Sequence, residues 1–362
     1  MKAAPERILT RGNEAIAYGA VDAGCRCYFG YPITPQNEIS EMLSSLLPDA
    51  GGQFVQAESE IGAVNMVLGA GACGIPAMSS SSSPGISLMQ EGLSYMACSM
   101  LPGVFVNMQR GGPGLGGIGP SQGDYFQAVK GGGHGDHRNL VLAPSGCQEC
   151  YDMMFDAFRL AFTYRNPVMV LGDAMVAQMK EPLVRKAPQD APGFAGLHES
   201  AAPWRVEGCA GRAKRLLKSV YLADGELAAR NTLLMEKYAA MRAEVRYRAV
   251  DLDDARLVVV AFGSMGRIAH SAVRALRDKG HRVGLLRPLT LYPFPDEAIA
   301  GLADRGARFL VIEQNLGQMV EDVRLAVNGR APVAWHGVMP GVFVDAEDFA
   351  GPIMQALEGR EG

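Results

Sequence analysis

Glu58 and Glu60 lie in Phe54-Val55-Gln56-Ala57-Glu58-Ser59-Glu60, where a short apolar run gives way to the small-residue helical pattern Ile61-Gly62-Ala63-Val64-Asn65. A carboxylate at such a handover sits where open α/β sheets bind ligands, outside the carboxyl ends of their strands. There it can hold or pass a proton. Two other pieces qualify it. Tyr31-Pro32-Ile33-Thr34-Pro35 is a turn stiffened by two prolines, with the Thr34 hydroxyl on offer, and Arg110 ends an apolar run just before a loop in which seven of residues 111–123 are glycine. A guanidinium fork suits a carboxylate, and glycine-dense backbone can approach a ligand closely. Taken singly, Glu60 is also what the amino end of its own helix favours, and Arg110 is also an ordinary strand-end salt-bridge former.

Other motifs carry less. Gly114-Leu115-Gly116-Gly117-Ile118-Gly119 has the spacing of a dinucleotide-binding fingerprint, but Pro120 follows and no long helix opens to receive a pyrophosphate. A folded loop at the rim of a site is the better reading. Ser79 to Ser83, followed by Pro84-Gly85, offers hydroxyls either to a polar ligand or to helix capping. No His–Asp pair is identifiable to activate a serine, which argues against a hydrolase nucleophile. His134 and His137, in a glycine-flanked loop, suit proton transfer, metal binding or plain hydrogen bonding. Gly172-Asp173-Ala174 resembles the acidic end of a metal–diphosphate motif, yet the first asparagine downstream is Asn231, so no Mg²⁺ ligand is assigned to this chain. Cys147-Gln148-Glu149-Cys150 and Cys25-Arg26-Cys27 lack further Cys or His at metal-site spacing. The odd count of seven cysteines fits reduced thiols.

The elements that must position these residues alternate. Strand patterns at Cys25–Phe29, Gln53–Ala57, Ile75–Ser79, Gly103–Gln109, Asn139–Ala143 and Pro167–Leu171 are interleaved with helical patterns at Pro35–Leu47, Glu60–Ala72, Pro84–Ser99 and Cys147–Tyr164. This predicts an α/β fold, a doubly wound and mostly parallel sheet covered on both faces. Residues 182–223 lose the period, and a helix is expected from Gly225 to about Arg248. Arg256–Phe262, a helix through Ala269–Lys279, and strands at His281–Leu286 and Arg308–Ile312 then mark a smaller α/β domain. The expected division is 1–185, a linker with a helix at 186–254, and 255–362. With 362 residues, 48% apolar and 20% charged, the chain can bury sizeable cores. Its mixed charges, net −4, leave no footprint for nucleic acid. No apolar stretch reaches the ~18 residues a membrane span needs, and no signal-peptide pattern opens the chain, so a cytoplasmic location is expected.

In their joint order, Gly12-Asn13-Glu14-Ala15, Tyr31–Pro35, Glu58-Ser59-Glu60, Lys130–Asp136, Leu286–Pro295 and Gly317–Asp322 resemble the 2-oxoacid:ferredoxin oxidoreductases, specifically the subunit with the domain that embraces the pyrimidine ring of thiamine diphosphate. The resemblance covers nearly the whole chain and implies a second domain of the transketolase C-terminal type. It implies that Glu60 is the catalytic acid that shares a proton with the pyrimidine and that Thr34 and Arg110 contact the oxoacid. Tyr31, Pro32, Ile33 and Ser83 would contact the cofactor alongside Glu60. Such a base works best when partly desolvated, a task expected of Val55 and Ile61. Partner subunits would supply the Mg²⁺ and diphosphate site and the iron–sulfur clusters, the latter on gamma-type and ferredoxin-like subunits. CoA would accept the acyl group and ferredoxin the electrons, and the chain alone would be inactive. Within the family, residues 31–38, 80–90 and 110–116 are most similar to the branched-chain (2-oxoisovalerate) branch, whereas 2-oxoglutarate subunits tend to carry Ser-Thr-Gly where this chain has Gly114-Leu115-Gly116. A 2-oxoglutarate enzyme and a non-catalytic scaffold subunit are the alternatives.

Overall fold

The computed structural model describes residues 7–186 and 193–359. The first half runs β1 (Arg7–Arg11), α1 (Gly12–Asp22), β2 (Cys27–Gly30), α2 (Asn37–Asp49), β3 (Gln53–Gln56), α3 (Glu60–Ala72), β4 (Ala77–Ser81), α4 (Ser83–Ser99) and β5 (Gly103–Gln109). It continues with α5 (Tyr125–Lys130), β6 (Leu140–Leu142), α6 (Cys147–Tyr164), β7 (Pro167–Asp173), α7 (Ala174–Gln178) and β8 (Lys180–Val184). The second half runs α8 (Gly193–Ser200), α9 (Glu226–Ala240), β9 (Tyr247–Val250), β10 (Leu257–Val260), α10 (Gly263–Asp278), β11 (Val283–Pro288), β12 (Thr290–Tyr292), α11 (Asp296–Asp304), β13 (Arg308–Glu313), α12 (Met319–Val327), β14 (Val333–Gly337) and α13 (Ala346–Glu358).

The seven-stranded sheet has the order β12-β6-β7-β5-β4-β2-β3, parallel throughout except for β12. Its central strands β5 and β7 are buried at every position, as parallel strands covered on both faces are. Helices α1, α2 and α6 cover one face. On the other, α3, α4 and α5 share one core with β10, α11 and α12 of the second half, so Val64, Leu93, Tyr125, Phe262, Ile299 and Val320 belong to a single cluster. The second sheet, β14-β13-β10-β11-β9, buries its far face under α10 and α13.

Three features differ from the sequence expectation. The helix expected to reach Arg248 stops at Ala240, passes through a 3-10 turn at Met241–Glu244, and becomes β9, antiparallel to β11. There Arg246 is held by Asp156 at 2.6 Å and by Thr290, contacts that outweigh helical propensity. Lys180–Val184, where the sequence period begins to fail and no strand was expected, pairs antiparallel with β1, and this isolated two-stranded ribbon tolerates Pro182. Finally, β12 leaves the second half to complete the first sheet beside β6. The two halves are thus sewn together: Gln122 and Gln314 exchange N–H···O bonds at 2.8 and 3.0 Å, and Arg287 grips Glu149 with both Nη atoms at 2.9 and 2.6 Å.

Candidate active site

In the first sheet the chain passes from β2 to β3 on one side and then crosses to β4 on the other. Between β2 and β4 the order reverses, and such a switch point opens a crevice at the strand carboxyl ends. Four of the residues singled out from sequence border it: the Tyr31–Pro35 turn after β2, Glu60 after β3, Ser83 after β4 and Arg110 after β5.

Ser59 caps α3, its hydroxyl accepting Gly62 N–H at 3.2 Å, which places Glu60 as the first helical residue. Glu60 is only 5% exposed, whereas its neighbour Glu58 faces solvent. The Glu60 Oε1 accepts the Ser81 hydroxyl at 3.2 Å. Val55 and Ile61, expected to desolvate it, do not: they are 37% and 51% exposed. The edge position of β3 and the outward face of α3 turn them away, and the cover comes from the β4–α4 junction. Gly85 is required there, because a Cβ at that position would lie 2.3 Å from Glu60 Oε1 and 2.0 Å from Ser81 Oγ.

Arg110 reaches the β2 turn, its Nη1 donating to the Thr34 carbonyl at 3.0 Å. The two expected substrate contacts, 76 positions apart in the chain, therefore meet. Among the described residues the buried Nε of Arg110 has no hydrogen-bond partner, and with five N–H donors the guanidinium keeps some for a ligand. The turn itself is braced from below. Asn13 Nδ2 donates to Pro35 O and to Glu38, both at 2.7 Å, and Gln36 Oε1 accepts the Ser80 hydroxyl, which also meets Tyr28 Oη at 2.8 Å. Tyr31 and Thr34 are exposed, and Ile33 is half-buried.

The serine run divides its work between the alternating faces of β4 and the start of α4. Ser80 faces Tyr28 and Gln36, Ser81 faces Glu60, and Ser83 bonds within the protein on both sides, to Asp124 at 2.7 Å and to the Arg110 backbone. Sequence reading missed the roles of Asn13, Gln36, Ser81, Gly85 and Asp124. The Gly12–Ala15 motif and the surplus of serines were the signals that could have pointed to two of them. The loop after Arg110 folds tightly, Gly117 N–H meeting Gly111 O at 2.8 Å, and holds Leu115 and Ile118 80% and 65% exposed.

Several other candidates lie elsewhere. His134 and His137 lie in the loop between α5 and β6, which α4 holds where Ser94 donates to the His134 carbonyl, and burial pushes the His137 pKa down. Asp173 is an N-cap, accepting the Met175 and Val176 N–H groups. Cys147 and Cys150 are buried on α6. Among the described residues no three His, Cys, Asp or Glu side chains converge on a metal position, and no helix is long and apolar enough to cross a membrane.

Fold and crevice together define a class: α/β proteins with two mostly parallel sheets that present a buried carboxylate beside the strand ends. The family model for pyruvate flavodoxin/ferredoxin oxidoreductase, thiamine diphosphate-binding, matches residues 18–203, and that for pyruvate:ferredoxin oxidoreductase core domain II matches residues 255–349. A ketoisovalerate oxidoreductase subunit of Methanothermobacter thermautotrophicus is 50% identical over 94% of this chain and 95% of its own length. A 2-oxoglutarate synthase subunit of Methanothermobacter marburgensis is 38% identical over 91% of this chain and 93% of its own. Among solved structures, the 2-oxoglutarate:ferredoxin oxidoreductase from Magnetococcus marinus superposes with a TM-score of 0.86 at 24% identity, over 98% of this chain and 66% of that one, a likeness of fold. The chain belongs to the 2-oxoacid:ferredoxin oxidoreductase family and is a subunit of such an enzyme.

Proposed function

We propose that this chain forms the pyrimidine-facing half of the active site of an enzyme that oxidatively decarboxylates a branched-chain 2-oxoacid, 2-oxoisovalerate. In balance, the oxoacid and CoA give acyl-CoA and CO₂, and the electron pair leaves singly to ferredoxin. One observation carries the reading: a buried carboxylate with a hydroxyl as its side-chain partner and an arginine with donors to spare border the same crevice.

The residues fit thiamine diphosphate. The side-chain-free cradle at Gly85 and the buried Oε1 of Glu60 leave a carboxylate able to share a proton with a ring nitrogen. When bound, the cofactor supplies the electron sink that lets the bond to the substrate carboxyl carbon break. Glu60 would share a proton with the ring nitrogen, and Tyr31, Pro32 and Ile33 would hold the ring. Arg110 and Thr34 grip the oxoacid carboxylate through charge-assisted hydrogen bonds. Ser83 contributes from behind Arg110. Partner subunits bring the Mg²⁺–diphosphate site and the iron–sulfur clusters, and the thiamine-binding partner covers the exposed apolar Val55 and Ile61. The assembly works in the cytoplasm.

The choice of a branched-chain acid over 2-oxoglutarate rests on the higher identity to the ketoisovalerate oxidoreductase subunit. It is tested by purifying the chain with its natural partners and assaying CoA-dependent viologen reduction. The kcat/KM for 2-oxoisovalerate should exceed those for pyruvate and 2-oxoglutarate by about tenfold or more, the discrimination a side-chain pocket delivers. Preference for 2-oxoglutarate refutes the substrate, and absence of oxoacid-dependent reduction in the complete complex refutes the activity.

A further inference from the structure

Arg110 is the last residue before a loop in which seven of residues 111–123 are glycine. Such a loop carries a large backbone entropy and cannot by itself aim the side chain at its root. What restrains the root is a closed circuit of hydrogen bonds that ends on Asp124. One oxygen of Asp124 accepts both Ser83 Oγ at 2.7 Å and Asn107 Nδ2 at 2.8 Å. Ser83 Oγ in turn accepts the Arg110 backbone N–H at 3.1 Å, and the Ser83 N–H donates to Asn107 Oδ1 at 3.1 Å. The Asp124 N–H donates to Gln109 Oε1 at 3.0 Å, while Gln109 Nε2 donates to Gly172 O at 3.1 Å and so ties the circuit to β7. Both ends of the glycine loop are therefore fastened at one point, and hydrogen bonds to a largely desolvated carboxylate are the strong ones.

We propose that Asp124 is a positioning residue for recognition of the oxoacid carboxylate. Acting through Ser83, it fixes the Arg110 backbone and hence the direction from which the guanidinium, resting on the Thr34 carbonyl, meets the substrate. The proposal rests on the reading of Arg110 as a substrate contact. What matters is an acceptor at the Asp124 oxygen that receives both donors, a requirement asparagine meets and alanine does not.

The test uses the complex reconstituted with its natural partners and the variants Asp124→Ala, Asp124→Asn, Arg110→Ala and the Asp124→Ala, Arg110→Ala pair, with KM and kcat for 2-oxoisovalerate and the melting temperature of each. Asp124→Ala should raise KM about tenfold or more with kcat changed less than about threefold, the signature of lost substrate orientation in binding. Asp124→Asn should hold KM within about threefold, and the pair should show the KM of Arg110→Ala alone, because the two act as one unit. The proposal is overturned if Asp124→Ala lowers kcat and melting temperature with KM intact, if Asp124→Asn behaves like alanine, or if the two KM effects multiply. If Arg110→Ala leaves KM unchanged, the Arg110 reading fails and takes this one with it. If Arg110→Ala raises KM and Asp124→Ala does not, only the positioning role fails.

Discussion

Each of the two sheets delivers a glutamate at a strand carboxyl edge, and the two are treated differently. Glu60, after β3, accepts one hydroxyl and borders a crevice that Arg110 also reaches. Glu313, ending β13, is fully buried and accepts the N–H groups of Gln318, Met319 and Val320 at 3.1, 2.7 and 3.1 Å and Asn315 Nδ2 at 2.9 Å. Beside it, β10 hands over to Ser264, whose hydroxyl donates to Asp173 of the first domain. The same topological position borders an open crevice in one sheet and serves as a joint in the other. What separates them is whether the chain satisfies the carboxylate itself: a saturated acid has no lone pairs left for a ligand.

If this contrast holds, Glu60→Gln should reduce oxoacid-dependent dye reduction by about 10²-fold or more, the scale of a lost proton-transfer group. Subunit assembly on a sizing column should be unchanged. Near-normal turnover would remove Glu60 from the reaction and leave its edge no more reactive than the other. Glu313→Ala should do the reverse. It strands three backbone N–H groups, two of them buried, so unfolding in urea should show a loss of about 3 kcal/mol, while KM for the oxoacid in the folded complex stays put. A KM change without loss of stability would make the second edge part of the site.

The smallest effect concerns Asp173 at the joint, where burial pushes the carboxyl pKa up despite its bonds to Ser264 and the α7 backbone. A folded-state pKa above the unfolded one means that the folded chain binds the proton more tightly. The associated stability is full below the unfolded value and is lost as pH rises through the folded one. Asp173→Asn keeps the cap and removes the titration. The wild-type stability, measured relative to this variant by denaturant unfolding, should therefore fall as pH rises from about 4 towards neutrality. A flat difference would show that the joint carries no such linkage.

Much of this architecture was legible locally. Alternating periods mark β2 to β7 and helices α2, α3, α4 and α6, whereas the short α5 behind the glycine loop carries too few residues to show a period. Glu60, Thr34 and Arg110 stand out because a strand end is where a parallel sheet exposes function. The braces behind them were not legible. Gly85 looks like helix-start punctuation until the space beside Glu60 Oε1 is measured, and Asp124 looks like any loop acid until Ser83 and Asn107 close on it.

The amino-acid sequence by itself determined the strands β2 to β7, most of the helices between them and the family motifs, since periodicity and turn chemistry act between near neighbours. Tertiary structure alone decided that β12 completes the first sheet, that Arg110 meets Thr34, and that Val55 and Ile61 face outward while Ser81 and Gly85 enclose Glu60. Those outcomes depend on which distant surfaces bury one another and which polar atoms find partners when they do, free energies that no local pattern encodes.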